Sequence, residues 1–319
     1  GANPWLAYAM FCCRRGDTAK ARECCSEAVA LSLPDAEGKM AEGGITVRSA
    51  PALLLQGSIL AEENTELKQS IVMFKAATTE NGNPTPEAEL AFTLQALCFN
   101  MNGQTRKAGK AMLEATCSGK QEIDLYHNAI EYLLQSNLTT QAVIALRLSA
   151  AAGTEGGIGK DDNGMSDSLA WTAMKMTREQ RIRHMWLCGL TYMYMCDLDG
   201  AQKALEAAIE LEEKCPEAWS LLGHLKFTQG KSLDARNAYQ TALPLLEAQT
   251  TEPVLHLTSL VQVYIRLGKI YLEDSNYGSA REVFLRCCKY MPSASVWLGV
   301  GKACMKIGNM QEAEEALAE

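Results

Sequence analysis

From Pro216 onward, large apolar, small and polar residues alternate on a spacing that fits two short helices joined by a tight turn. Trp219, Leu222 and Gly223 recur at helical intervals on a first helix, Gly230 falls in the turn, and Ala235, Tyr239 and Ala242 continue the interval on a second. Pro244 lies near the end of that second helix. Counting Pro216 as position 1, the ruler reads bulky at 4, small at 8 and 20, aromatic at 24 and small at 27. Each position has a packing reason. Small residues at 8 and 20 let two antiparallel helices approach closely, and the side chain at 24 fills the space between them. Position 27 stays small because the first helix of a following hairpin rests there, and a glycine near 15 supplies the backbone freedom of the turn.

The interval is that of the tetratricopeptide repeat, about 34 residues per hairpin. The ruler recurs. From Ala294 it picks out Trp297, Gly301, Cys304, Gly308, Ala313 and Leu317; from Val261, Gly268, Tyr271, Ala280, Phe284, Cys287 and Pro292. From Ile182 it gives Gly189, Tyr192, Ala201, Leu205 and Ala208; from Glu89, Phe92, Ala96, Phe99, Gly103, Ala108, Met112 and Ala115. From Ala2 it gives Trp5, Ala9, Cys12, Gly16, Ala21, Cys25 and Ala28. Two copies fit with one residue inserted in the turn: Gly57 with Ser70, Phe74 and Ala77, and Ala129 and Tyr132 with Ala142, Leu146 and Ser149. A lone hairpin cannot bury its apolar face, so the pattern predicts serial stacking. The expected fold is an all-α solenoid of tetratricopeptide hairpins wound into a right-handed superhelix.

Hairpins begin near residues 2, 50, 89, 122, 182, 216, 261 and 294. Residues 35–49, with Gly38, Gly43 and Gly44, read as an inserted loop. Residues 150–176, with five glycines and the pair Asp161-Asp162, read as a flexible linker carrying a short helix around Leu169–Met176. The expected organisation is therefore an N-terminal array over 1–149, the linker, and a C-terminal array over 177–319. Leu245–Leu260 either lengthens the second helix of hairpin six or adds a short segment. Gly1-Ala2 reads as a cloning remnant, and the sequence as a piece of a longer polypeptide whose last hairpin stops before position 27.

Composition narrows the function. The net charge of −8 argues against broad phosphate or nucleic-acid binding, and no apolar run approaches the roughly 20 residues of a membrane span. The twelve cysteines fall inside helical patterns, and the adjacent pairs Cys12-Cys13, Cys24-Cys25 and Cys287-Cys288 lack the C-x-x-C spacing of zinc sites. They read as small core residues in a reducing compartment. Gly156-Gly-Ile-Gly-Lys160 resembles a phosphate loop, but Thr154 and Asp161 occupy positions where that loop needs glycine and Ser or Thr. Gly299 and Gly301 lie inside a helix and serve packing, and none of the four histidines sits in an H-E-x-x-H spacing. The chain reads as a non-enzyme with no cofactor, metal or small-molecule substrate.

In this repeat class the first helices line the concave face, chiefly through positions 2, 5, 9, 12 and 13. Those positions give Arg183, Trp186, Leu190, Met193 and Tyr194 in hairpin five, and Glu217, Ser220, His224, Phe227 and Thr228 in hairpin six. Hairpins seven and eight add Ile265, Lys269, Leu272, Leu298, Lys302, Met305 and Lys306, with Arg266 adjacent. An aromatic and methionine-rich strip thus runs into a basic stretch, which suits a protein segment with acidic residues at one end. The alternative occupant is the chain's own linker or an extension helix. The first three hairpins carry Leu6, Met10, Leu54, Leu55, Ser58, Thr93, Leu94 and Leu97 where chaperone-tail adaptors place a Lys and Asn clamp, so that role is disfavoured.

Ala218-Trp-Ser-Leu-Leu-Gly-His-Leu225, Arg266-Leu-Gly-Lys-Ile-Tyr-Leu-Glu273 and Trp297-Leu-Gly-Val-Gly-Lys-Ala-Cys304 with Glu312-Ala-Glu-Glu-Ala-Leu317 resemble the C-terminal repeat region of the cilia- and flagella-associated protein 70 family. Trp5-Leu-Ala-Tyr-Ala-Met-Phe-Cys12 and Leu53-Leu-Leu-Gln-Gly57 stand in the expected order. The resemblance implies a scaffold of the motile cilium or flagellum, located in the cytoplasm, cytoskeleton and axoneme. Its implied partners are central-pair or dynein-associated proteins. A generic cytosolic adaptor is the competing reading.

Overall fold

The computed structural model describes residues 4–30, 50–62, 67–80, 83–118, 122–152, 176–248 and 255–319. Sixteen helices pair in sequence order into eight antiparallel hairpins among them. In the first compact unit, residues 1–176, these are α1 (Pro4–Arg14) with α2 (Thr18–Ala30), α3 (Ala50–Glu62) with α4 (Leu67–Thr78), α5 (Ala88–Met101) with α6 (Thr105–Ser118), and α7 (Ile123–Gln135) with α8 (Thr139–Ala152). In the second, residues 177–319, they are α9 (Arg178–Tyr194) with α10 (Leu198–Leu211), α11 (Pro216–Thr228) with α12 (Ser232–Ala248), α13 (Leu255–Glu273) with α14 (Tyr277–Tyr290), and α15 (Ala294–Ile307) with α16 (Met310–Ala318). Within each unit the second helix of one hairpin packs on the first helix of the next, which is the serial stacking of an all-α tetratricopeptide solenoid.

One turn geometry repeats in seven hairpins. Gly16, Gly103, Gly230 and Gly308 adopt a left-handed backbone, and so do Asn137, Cys196 and Ser275 at the equivalent place. In each, the following residue donates its N–H to a carbonyl five residues back, at 2.8–3.0 Å, as in Lys231 to Lys226 and Asn276 to Tyr271. This bond closes the first helix and satisfies one of its last carbonyls. The same following residue then starts the second helix: Asp197, Asn276 and Asn309 accept from the backbone N–H of Gly200, Ser279 and Glu312.

The packing ruler holds through the side chains. Position 20 (Ala21, Ala108, Ala142, Ala201, Ala235, Ala280), position 24 (Cys25, Phe74, Met112, Leu146, Leu205, Tyr239, Phe284) and position 27 (Ala28, Ala77, Ala115, Ala208, Ala242, Cys287) are buried. Leu317, at position 24 of the last hairpin, is half exposed. Glycine inside the first helix marks the close approach: a Cβ on Gly57, Gly189 or Gly268 would fall 2.5–2.7 Å from Phe74, Leu205 or Phe284. Gly299 meets the same Phe284 ring from the next hairpin, and Gly301 meets Leu317, so this pair serves packing.

Four features depart from the sequence reading. In hairpin four the closing bond runs from Leu138 to Leu133 and the left-handed residue is Asn137. The register therefore begins at Ile123 with no insertion, and Ala129 and Tyr132 pack with Ala108 and Met112 of the preceding hairpin. Residues 255–260 belong to the first helix of hairpin seven, while α12 itself runs to Ala248. Ala150–Ala152 extend α8 rather than opening a linker; residues 153–175, and the loop expected at 35–49, lie outside the described residues. A two-residue antiparallel ladder, β1 (Thr79–Glu80) with β2 (Asn83–Pro84), joins hairpins two and three, and the Thr85 hydroxyl donates to the Ala77 carbonyl at 2.6 Å.

Candidate functional site

In the second unit, the first helices of successive hairpins touch one another: α9 with α11, α11 with α13, and α13 with α15. Successive second helices do not approach to the same degree. The first helices therefore form the inner side of the unit, and they carry the residues singled out in the sequence.

On α9, Arg183, Trp186, Leu190 and Met193 are half-buried, and Tyr194 is exposed. On α11, Phe227 is half-buried and packs against the core of the unit. On α13, Ile265 and Arg266 are half-buried and Lys269 is exposed; on α15, Leu298, Lys302, Met305 and Lys306 are exposed. The set is a strip across four helices rather than one patch. Its tightest cluster lies at the seam of hairpins six and seven, where the Arg266 guanidinium stands 5.8 Å from the centre of the Phe227 ring.

His224 is half-buried at this seam. Its Nδ1 and the Tyr239 hydroxyl share a 2.7 Å hydrogen bond, which turns the imidazole toward α12. Burial, with Arg266 adding to it, pushes the imidazole down to about 3. Burial holds the Tyr239 phenol up at about 12, opposed in part by Arg266. Neither group exchanges a proton near neutral pH, so the pair is a structural link and not an acid–base device. Sequence reasoning used Tyr239 only as a filler of position 24; its polar end joining position 9 of its own hairpin to Arg266 of the next was missed. A histidine at position 9 with a tyrosine at 24 was the available signal.

Further polar links tie hairpins together across the unit. Arg236 pairs with Asp274 at 2.9 Å, Gln240 donates to the Tyr271 hydroxyl at 2.7 Å, and Arg281 grips Glu312 through two bonds of 2.7 and 2.8 Å. The Trp219 indole donates to the Glu213 carbonyl at 2.7 Å and pins the connection between hairpins five and six. Tyr264 donates to Glu247 and stacks on Tyr290 at 5.9 Å.

The first unit has an inner face of other chemistry. Met10, Leu90, Leu97 and Met101, at positions 9, 2, 9 and 13 of hairpins one and three, are exposed at 49%, 53%, 43% and 56%. In the sequence Met10 and Leu97 served only to exclude a clamp, and Leu90 and Met101 carried no reading; seeing a surface needed the same ruler applied to the first half. Among the described residues, no group of three or more His, Cys, Asp or Glu side chains is placed to hold a metal, and no helix is long and apolar enough to cross a membrane.

Comparison with known proteins places these observations in a family. Residues 1–117 match the model described as the cilia and flagella-associated protein 70 middle TPR-like domain, and residues 216–319 match its C-terminal domain. The two stretches together take in more than half of the chain. Cilia- and flagella-associated protein 70 of Homo sapiens is 34% identical over 119 residues, covering 37% of this chain and 10% of that protein. That of Macaca fascicularis is 38% identical over 71 residues, covering 22% of this chain and 7% of that protein. The chain thus spans about a tenth or less of the length of the curated relatives it matches. Among solved structures, a tetratricopeptide repeat protein from Parabacteroides merdae superposes with a TM-score of 0.58 at 12% identity, covering 94% of this chain and 97% of that one. PilW, a type IV pilus biogenesis factor, gives 0.51 at 14% identity over 78% of this chain and 97% of its own. Likeness at such identity speaks for the fold alone.

Proposed function

Because this chain belongs to the cilia- and flagella-associated protein 70 family, we propose that it is a non-enzymatic docking module of the axoneme, in the central apparatus or the dynein-bearing structures. It holds a segment of another axonemal protein against the inner side of its second unit. The observation that carries this reading is the row of Trp186, Leu190, Met193, Tyr194 and Phe227, incompletely buried on the inner first helices and followed by cations at Arg266, Lys269, Lys302 and Lys306. Trp186, Leu190, Met193 and Tyr194 lie outside the ruler positions that supply the core of their hairpin, while Phe227 packs on the edge of the core and leaves part of its ring uncovered.

Magnitudes set the mode of use. Three apolar anchors contribute about 1.5–3 kcal/mol each, against an association cost of about 4–15 kcal/mol. One segment on one module binds weakly, and retention depends on several contacts engaged together in an assembly. The test is a full-length family protein carrying Trp186→Ala and Phe227→Ala, expressed in ciliated cells in place of the native one. The expected result is localisation to the cilium with loss from the axoneme on detergent extraction. Retention equal to the unsubstituted protein overturns the reading, and a tagged protein that stays in the cytosol favours a generic adaptor instead.

A further inference from the structure

We infer that the inner side of hairpins seven and eight selects a partner segment bearing side-chain carboxylates, with Arg266 as the anchor that reads them. This rests on the docking role proposed above and specifies its chemistry.

The second unit distributes its ion pairs unevenly between outer and inner helices. Every arginine on the second helices α12 and α14 holds a carboxylate: Arg236 with Asp274, Arg281 with Glu312, and Arg286 with Glu282. On the inner first helices α13 and α15 the pattern reverses. Arg266, Lys269, Lys302 and Lys306 make no ion pair among the described residues, although the chain as a whole is acidic at −8. Even Glu273, one turn beyond Lys269 on α13, forms no ion pair with it. Lys269 and Lys302 occupy the same repeat position on touching helices, and Lys306 stands one turn beyond Lys302. A row of cations without internal partners thus faces the inner side.

Arg266 differs from the lysines in being half-buried and held. Phe227 lies against it at 5.8 Å, and the Tyr239 hydroxyl, itself bonded to His224, is a second neighbour of the guanidinium. A guanidinium taken part way out of water without a counter-ion is unfavourable, and an arriving carboxylate relieves that cost with two parallel N–H···O bonds. Because its position is fixed before binding, little side-chain entropy is lost. The exposed lysines are long, mobile and screened, so they raise the association rate and its salt dependence more than the affinity. Leu298 and Met305, exposed at 45% and 43% among these cations, supply apolar contact between the charges. Charge and apolar contact together fit an acidic peptide with interspersed leucines better than a bare inorganic anion.

The test uses the intact chain and two fluorescent peptides, one alternating glutamate with leucine and one with glutamine in place of every glutamate. Anisotropy titrations near physiological salt are expected to show the glutamate peptide bound at least about tenfold more tightly. Arg266→Gln is expected to abolish that preference, and Arg266→Lys to restore only part of it. Lys302→Glu and Lys306→Glu lie on exposed positions that leave the fold intact, and are expected to weaken the glutamate peptide severalfold and flatten its salt dependence. Equal binding of the two peptides, a preference that survives Arg266→Gln, or displacement by inorganic phosphate at matched charge each overturns the inference. Binding of neither peptide overturns it as well. None of these outcomes touches the axonemal-retention assay of Trp186→Ala and Phe227→Ala, which judges the docking role separately.

Discussion

A Cβ atom placed on Gly223 would lie 2.5 Å from two ring carbons of Tyr239, closer than carbon atoms can pack. The ring is fully buried between two helices and cannot swing aside. Gly223→Ala is therefore expected to destabilise the second unit by about 1–3 kcal/mol, although alanine is otherwise favoured over glycine in a helix by about 1 kcal/mol. Gly278, exposed on α14 with open space around it, supplies the opposite case: Gly278→Ala is expected to stabilise by about 0.5 kcal/mol. Gly301 stands between them, because the Leu317 side chain it meets is half exposed and can move. Urea denaturation of the three variants should give this order with an unchanged m value.

At the turns, Cys196 and Ser275 hold φ of +61° and +59°, where the sister hairpins place glycine at φ of +71° to +93°. A side chain in this region costs about 1–2 kcal/mol, offset in part by the greater entropy glycine loses on folding. Cys196→Gly and Ser275→Gly are each expected to stabilise by about 0.5–1 kcal/mol. Asn137, whose side chain tolerates this region, should gain least. Thermal melts that fall for Cys196→Gly and Ser275→Gly would contradict the turn geometry.

The hairpins were legible because the ruler is local: Ala235, Tyr239 and Ala242 lie on one helix and their sizes alone state what packs there. Boundaries were less legible. Ala150–Ala152 looked like linker only because glycines follow, yet alanine is the strongest helix former. Leu255–Leu260 carries no glycine or proline before Val261, so the sequence offers no signal that would set it apart from the helix that follows. The Asn81-Gly82 dipeptide was an available signal for the short ladder that flanks it. For the candidate site, residue types and faces could be read, but the seam could not. His224 is bonded to Tyr239 on the next helix and stands beside Arg266 of the next hairpin, and neither relation is visible in a single repeat.

Thiol reactivity gives a direct check on the packing. Burial pushes the thiols of Cys25 and Cys215 up to about 12 and that of Cys287 up to about 11, so the reactive thiolate is scarce at neutral pH and access is blocked. Cys117 and Cys196 are exposed. Brief alkylation of the native chain at neutral pH, read by peptide mass spectrometry, is expected to mark Cys117 and Cys196 and to spare Cys25, Cys215 and Cys287 until denaturant is added. Early labelling of Cys287 would mean that position 27 of hairpin seven is not sealed by hairpin eight.

The same seam predicts how the second unit responds to acid. His224 titrates near 6.5 in the unfolded chain and is pushed down to about 3 in the folded one by burial, with Arg266 beside it. Between those values the unfolded chain binds the extra proton. Stability from this group is therefore complete above about pH 6.5, falls as pH drops through the window, and is fully lost below about pH 3. The slope approaches 1.4 kcal/mol per pH unit for one proton, so the loss by about pH 5 is on the order of 2 kcal/mol. His224→Gln keeps a partner for the Tyr239 hydroxyl and removes the titration. Carboxylates such as Asp274 and Glu312 protonate alike in both proteins and cancel in the comparison. Chemical denaturation of the two proteins at about pH 7.5, 6 and 5 should show curves that converge or cross as acid destabilises the native sequence more steeply. Parallel curves would mean that the imidazole is already solvated in the folded state and that its bond to Tyr239 does not seal it from water.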